Sequence, residues 1–132
     1  MREVTYADAI REALKEEMER DEQVFLMGED IGVSGGAFTI TRGLLEQFGE
    51  KRVRDTPISE ETIAGAAVGA AIAGYRPVVE IMFCNFVTLA MDPIANHAGP
   101  FRYMSGGQLK VPVTFRLPIC QGRSAGPQHS VS

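Results

Sequence analysis

The chain has 132 residues, 45% hydrophobic and 23% charged, the size and balance of one soluble globular domain or part of one with a real core. Its net charge of −4, with no basic cluster of useful length, argues against nucleic acid as a main partner. Cys84 and Cys120 lack any CxxC or Cys/His ligand spacing, and Met1 leads straight into a charged amphipathic segment with no targeting peptide, so a reduced, cytoplasmic setting is expected.

The first predicted element is a helix. Thr5 and Asp8 are spaced as a capping pair, although Asp is shorter than the usual Glu or Gln. Ala7, Ile10, Leu14 and Met18 then recur at helical spacing, with Arg11, Lys15, Glu16 and Glu19 on the wet face. Residues 24–27 are a short apolar run suited to a buried strand, which ends at Gly28, Glu29 and Asp30. Gly32, Gly35 and Gly36 follow. Their spacing is neither GxGxxG nor a phosphate loop with Gly-Lys-Ser/Thr, so this segment reads as a flexible connection or a subunit contact. Leu44, Leu45 and Phe48 predict a short helix closed by Gly49, and residues 52–56 a strand.

The rest of the chain is organised around residues 55–74. Pro57 breaks the strand, and Ser59 is placed to cap a helix by accepting from its free N–H groups. Glu60 then lies at the helix start, where the positive end of the macrodipole favours a carboxylate. Residues 63–73 are nearly all Ala, Gly, Val and Ile, and Gly74 is a natural stop. One ionisable group thus stands at the mouth of a very apolar helix, an arrangement that suits a site. Gly65, Ala66, Gly69, Ala70 and Ala73 also make this helix small-sided. Glycine inside a helix costs about 0.8–1 kcal/mol against alanine, so close approach of another helix is one reading. A core helix buried within one domain is the other. The apolar run is too short to span a bilayer.

Beyond it, residues 77–83 form an apolar strand whose lone charge, Glu80, is expected to pair with a neighbour or emerge at an edge. Residues 86–98 have a helical pattern containing Pro93, which predicts a kink or a helix start with Asp92 as its cap. Residues 102–107 read as a polar loop, 111–117 as the last clear strand, and 118–132 as a loop. Such alternation implies an α/β fold, a mostly parallel sheet flanked by helices.

The runs FLMGEDIGVSGGAF, RVRDTPISE, GAAVGAAIAG, RPVVEIMF, FRYMSGGQLKVPV and QHS, in this order, resemble the beta subunits of thiamine-diphosphate-dependent 2-oxoacid dehydrogenases. RDTPISE, VVEIMF and YMSGGQ are most similar to the pyruvate dehydrogenases within that group. The resemblance spans essentially the whole chain. It implies the pyrimidine-binding, transketolase-like domain of the thiamine-diphosphate fold. It also implies that Glu60, the glutamate of ISE, hydrogen-bonds a ring nitrogen of the cofactor pyrimidine and favours its imino tautomer. Met82 and Phe86 match positions that pack on the pyrimidine, and His129 matches a histidine near the reacting end of the cofactor.

The GDG motif that binds the metal in thiamine enzymes is absent, and residues 28–30 read GED instead. The resemblance therefore implies no metal ligand here. Diphosphate and magnesium would be held by a separate alpha subunit in an alpha2-beta2 heterotetramer, which docks to a dihydrolipoyl acyltransferase core. Family members continue well past QHS, so residues 1–132 are expected to be a truncated pyrimidine-binding domain, incomplete at its C-terminus, with the C-terminal domain absent. Two other readings stand beside this one. The chain also reads as a non-catalytic, truncated interaction module docking through its small-residue helix, or as the pyrimidine domain of a transketolase-like enzyme.

Overall fold

Helix α1 (Tyr6–Arg20) begins at the predicted cap: Thr5 Oγ1 accepts from the Asp8 N–H at 3.1 Å and donates to Asp8 Oδ2 at 2.6 Å. The computed structural model describes residues 2–119 and 126–129. Leu14 and Met18 are the fully buried positions of α1, with Ala7 and Ile10 packed partly beneath it. The chain then enters β1 (Val24–Gly28), and α2 (Leu44–Phe48) leads to β2 (Val53–Asp55). Arg52 ties these pieces together, donating to the carbonyls of Val24 at 2.7 Å, Met18 at 2.9 Å and Asp21 at 3.0 Å.

Helix α3 (Glu60–Ile72) follows, then β3 (Arg76–Glu80), and after a helical stretch β4 (Thr114–Arg116). The four strands make one wholly parallel sheet in the order β2-β1-β3-β4. Side chains alternate across it. Val24, Leu26 and Val53 pack toward α1 and α2, while Met27, Val79 and Ile81 pack with Ile63, Ala64 and Ala67 of α3. The result is the expected α/β arrangement, a parallel sheet between two helical layers.

Several local expectations are corrected. Ser59 occupies the position before α3, yet its hydroxyl donates to the Pro57 carbonyl at 3.2 Å and caps nothing. The glycine segment is held rather than free. Gly32 N–H donates to Asp55 Oδ1 at 2.7 Å, Gly36 N–H to the Asp30 carbonyl at 2.8 Å, and Thr41 Oγ1 to the Ile31 carbonyl at 2.6 Å. Strand β3 ends at Glu80 instead of reaching residue 83, because its neighbours β1 and β4 end in the same row, at Gly28 and Arg116.

A helical turn does start at Pro93, as one of the two expectations had it, but the Asp92 side chain does not cap it. A 3₁₀ run (Cys84–Ala90) passes through Met91 and Asp92 into a π-helical turn (Pro93–Ala98), closed by the Gly99 N–H on the Ile94 carbonyl at 3.1 Å. Asp92 is itself helical, so it cannot cap; it accepts from Asn96 Nδ2 at 2.8 Å. The short helix α4 (Phe101–Met104) stands where a loop is expected. Of residues 111–117 only Thr114–Arg116 pair as strand. The 118–132 loop, Cys120 included, lies largely outside the described residues; its described part holds a 3₁₀ turn (Pro127–His129).

Candidate functional site

In parallel α/β sheets, ligands bind outside the carboxyl ends of the strands, where loops and helix starts meet. The residues singled out from sequence gather at that rim. Strand β2 delivers the chain through Thr56 and Pro57 into α3, so Glu60 opens the helix, and it is only 6% exposed. The carboxylate of the opening residue thus lies inside the fold. Next to it comes Glu29, one residue beyond the end of β1 and 4% exposed. Burial pushes the Glu29 carboxyl above its ordinary range, and the nearby negative charge of Glu60 raises it further. The Ser59 backbone N–H pulls the other way, and Asp30 adds a smaller push upward.

Glu29 Oε1 is buried without a hydrogen-bond partner among the described residues. An unsatisfied buried oxygen costs about 1–3 kcal/mol and more when charged, so a fold that keeps one calls for an explanation. Thr56 Oγ1, between β2 and α3, is similarly unpartnered. These are two orphaned polar atoms on the strand-end loops that precede and accompany Glu60.

Residues 81–86 leave the end of β3 to form the apolar wall of the rim. Ile81 is fully buried, Met82 is half-buried in the bend that follows, and Phe86 packs against the core cluster containing Ile63 and Ala64 of α3. The 3₁₀ run carrying Phe86 touches both α3 and the 127–129 turn. That turn sets the His129 ring against two aromatics, 4.6 Å from the Phe83 centroid and 5.7 Å from that of Phe86. Phe83 and Phe86 are themselves edge-on at 6.0 Å, and Phe38 from the glycine segment reaches Phe83 at 6.5 Å. Such edge contacts contribute about 0.5–1.5 kcal/mol each beyond burial. His129 is therefore held by a ring cluster, and its loop position is no sign of a merely solvated side chain.

The structure thus brings Phe86 and His129 into contact, and seats Glu60 on the helix that the Phe86 segment packs against. Met82 is placed beside them with no specific bond of its own. Sequence reasoning passed over Glu29, Phe38 and Phe83. A carboxylate just after the central strand of a parallel sheet was the available signal for Glu29; Phe38 and Phe83 had none beyond hydrophobicity. A cavity of about 570 Å³ lies elsewhere. It runs along the open side of α3 past Gly65 and Gly69 toward Pro93 and Phe101, and Glu61 borders it, not Glu60. Among the described residues, no helix is long and apolar enough to cross a membrane.

A parallel α/β domain with an acidic helix start at the strand ends and an aromatic wall beside it is the class of protein that the fold and the site define. Residues 2–132 match the family described as transketolase, pyrimidine binding domain, and the chain belongs to that family. It is 52% identical over 128 residues to the pyruvate dehydrogenase E1 component subunit beta of Rickettsia bellii, a match covering 97% of this chain and 39% of that relative. The subunit beta-1, mitochondrial, of Arabidopsis thaliana is 50% identical over 129 residues, covering 98% and 36%. The pyruvate dehydrogenase E1 component subunit beta of Chaetosphaeridium globosum is 48% identical over 130 residues, covering 98% and 40%. The resemblance read from the motifs is borne out. The chain spans about two fifths of the length of these curated relatives.

Proposed function

We propose that this chain supplies the pyrimidine half of a thiamine diphosphate site, in an enzyme that oxidatively decarboxylates a 2-oxoacid, pyruvate, and passes the acyl group to lipoyl groups. The observation that carries the reading is Glu60, a carboxylate buried at the first residue of α3 beside a second buried carboxyl with an orphaned oxygen. A ring nitrogen or amino group in that place would satisfy what the fold leaves unpaired. The residues present fit the pyrimidine.

When bound, thiamine diphosphate supplies the carbanion chemistry at its thiazolium carbon; the protein supplies orientation and electrostatics. Glu60 would hold a pyrimidine nitrogen by a hydrogen bond. Phe86 and Met82 present a flat face and an adaptable thioether to the ring. His129, held against Phe83 and Phe86, would hold or deliver a proton at the reacting end. The diphosphate and its magnesium belong in this proposal to an alpha subunit. The same proposal includes the alpha2-beta2 assembly, the acyltransferase core, a second domain beyond this one and a cytoplasmic location.

The test is calorimetry with thiamine diphosphate and magnesium, on the full-length chain alone and then with its alpha partner. Binding only in the mixture is expected. A specific observation favours a second reading, an interaction module: Gly65, Ala66 and Gly69 are exposed, and an added Cβ at Gly69 meets nothing within 4 Å. Absence of binding in both samples would select that reading. The transketolase-like alternative keeps Glu60 and changes the substrate; the names of the relatives support the dehydrogenase.

A further inference from the structure

The last row of the sheet reads Asp55–Gly28–Glu80–Arg116 across all four strands. Residues in one row of a parallel sheet point to the same face, here the face of Leu26, Val53 and Val78 that packs toward α1 and α2. Both carboxylates of this row meet the glycine segment. Asp55 Oδ1 accepts from the Gly32 N–H at 2.7 Å, and Glu80 Oε1 lies 3.1 Å from where a Cβ on Gly36 would stand. Gly28 makes the row possible, since a Cβ there would sit 2.6 Å from the Glu80 carbonyl oxygen.

Glu80 is 5% exposed, and its Oε2 is 2.9 Å from Arg116 Nη2. The guanidinium N–H does not point along that line, so the pair is a contact of charges rather than an aligned hydrogen bond. It joins β3 to β4 beneath the segment. Past Gly36, whose φ of +80° suits glycine, the chain reaches Phe38 and then Thr39, a β-branched residue at φ +55°. A strained residue persists only where its surroundings hold it. Arg11 does so from α1, donating to the Thr39 carbonyl at 2.7 Å and the Ile40 carbonyl at 3.0 Å. The segment is therefore clamped from below by the sheet row and from the side by α1, and it ends with Phe38 against Phe83, the ring on which His129 rests.

We propose that Glu80 and Arg116 are positioning residues for the aromatic wall, setting the height of the glycine segment and so the place of Phe38, Phe83 and His129. The inference rests on the proposed cofactor reading for its consequence, not for its geometry. Neither residue touches the ligand; both act through the segment.

The test uses the full-length chain, assembled with its partner subunit and labelled with 4-fluorophenylalanine, with fluorine resonances assigned by single Phe→Leu changes. In Glu80→Gln the Phe38 and Phe83 resonances are expected to shift together. The apparent dissociation constant for thiamine diphosphate should rise about tenfold, and turnover at saturating cofactor should fall too because His129 moves with the rings, by less than the ~100-fold that a full ångström of misplacement can cost. Arg116→Lys in the otherwise unmutated protein, which retains the charge facing Glu80, should show only part of both effects. If Glu80→Gln fails to assemble, Phe38→Leu decides, because it leaves the buried charges intact and should weaken cofactor binding in the same way. Unmoved Phe38 and Phe83 resonances in an assembled Glu80→Gln, or undiminished binding in Phe38→Leu, would overturn the proposal. Moved resonances in a protein that binds no thiamine diphosphate even unmutated would overturn the cofactor reading and leave the positioning link standing.

Discussion

Two sides of the same sheet rim carry buried carboxylates, and they are treated in opposite ways. On the side toward α1 and α2, Glu80 has a guanidinium beside it and a glycine backbone against it. On the side toward α3, Glu29 has the like charge of Glu60 beside it, and among the described residues its Oε1 has no hydrogen-bond partner. Burial of an ion is costly unless it is paired. Glu80 is itself pushed above the ordinary carboxylate range, because burial outweighs the pull of Arg116, but it keeps a counter-charge, whereas the charge that acts on Glu29 is the like charge of Glu60. Burial alone would not have told them apart; the counter-charge does.

The sharpest way to break this contrast is Glu60→Gln in the full-length chain assembled with its partner. Steady-state assays are expected to show turnover lower by about 10²–10⁴-fold, the range of a positioned acid–base group, with assembly intact by sedimentation. Full activity would remove Glu60 from the mechanism and the contrast with it. On the other side, Arg116→Met strands Glu80 as a buried charge. Urea denaturation should show a loss of about 3–5 kcal/mol, the usual result of removing one partner from such a pair.

A smaller effect is expected away from the rim. Gly69 sits on the open side of α3, so Gly69→Ala should stabilise the full-length chain by about 0.8–1 kcal/mol in the same denaturation assay, as helix propensity alone dictates. A loss instead would mean that a neighbour already occupies this face. The subtlest test concerns Glu29. Its pKa is raised in the folded protein, so between its unfolded and folded values the native state holds the extra proton. The stability this contributes is complete below the unfolded pKa and disappears as pH rises through the folded one. Glu29→Gln should therefore be the more stable protein at neutral pH, with the difference closing toward pH 4, as thermal melts across that range would show. An unchanged pH profile would mean that neither burial nor Glu60 raises the Glu29 carboxyl in the folded protein.

Much of this was legible locally. The Thr5–Asp8 cap, the periodicity of α1, the apolar runs of β1 and β3 and the Gly74 stop are signals that act over a few residues, and each formed near where the pattern put it. Local signals failed where a neighbour decided. Ser59 had the right chemistry for a cap, but its hydroxyl found the Pro57 carbonyl instead. The glycines looked flexible because their partners, Asp55, Glu80 and Arg11, lie far away in the chain.

By itself the sequence determined the alternation of elements, the parallel α/β class and the placing of a carboxylate at the start of a small-sided helix, because spacing and residue type suffice for these. Tertiary structure alone decided which acids share a rim, which one meets an arginine, and which rings enclose His129. Parallel pairing brings the ends of distant strands into one row, and only there do their charges and rings act on each other.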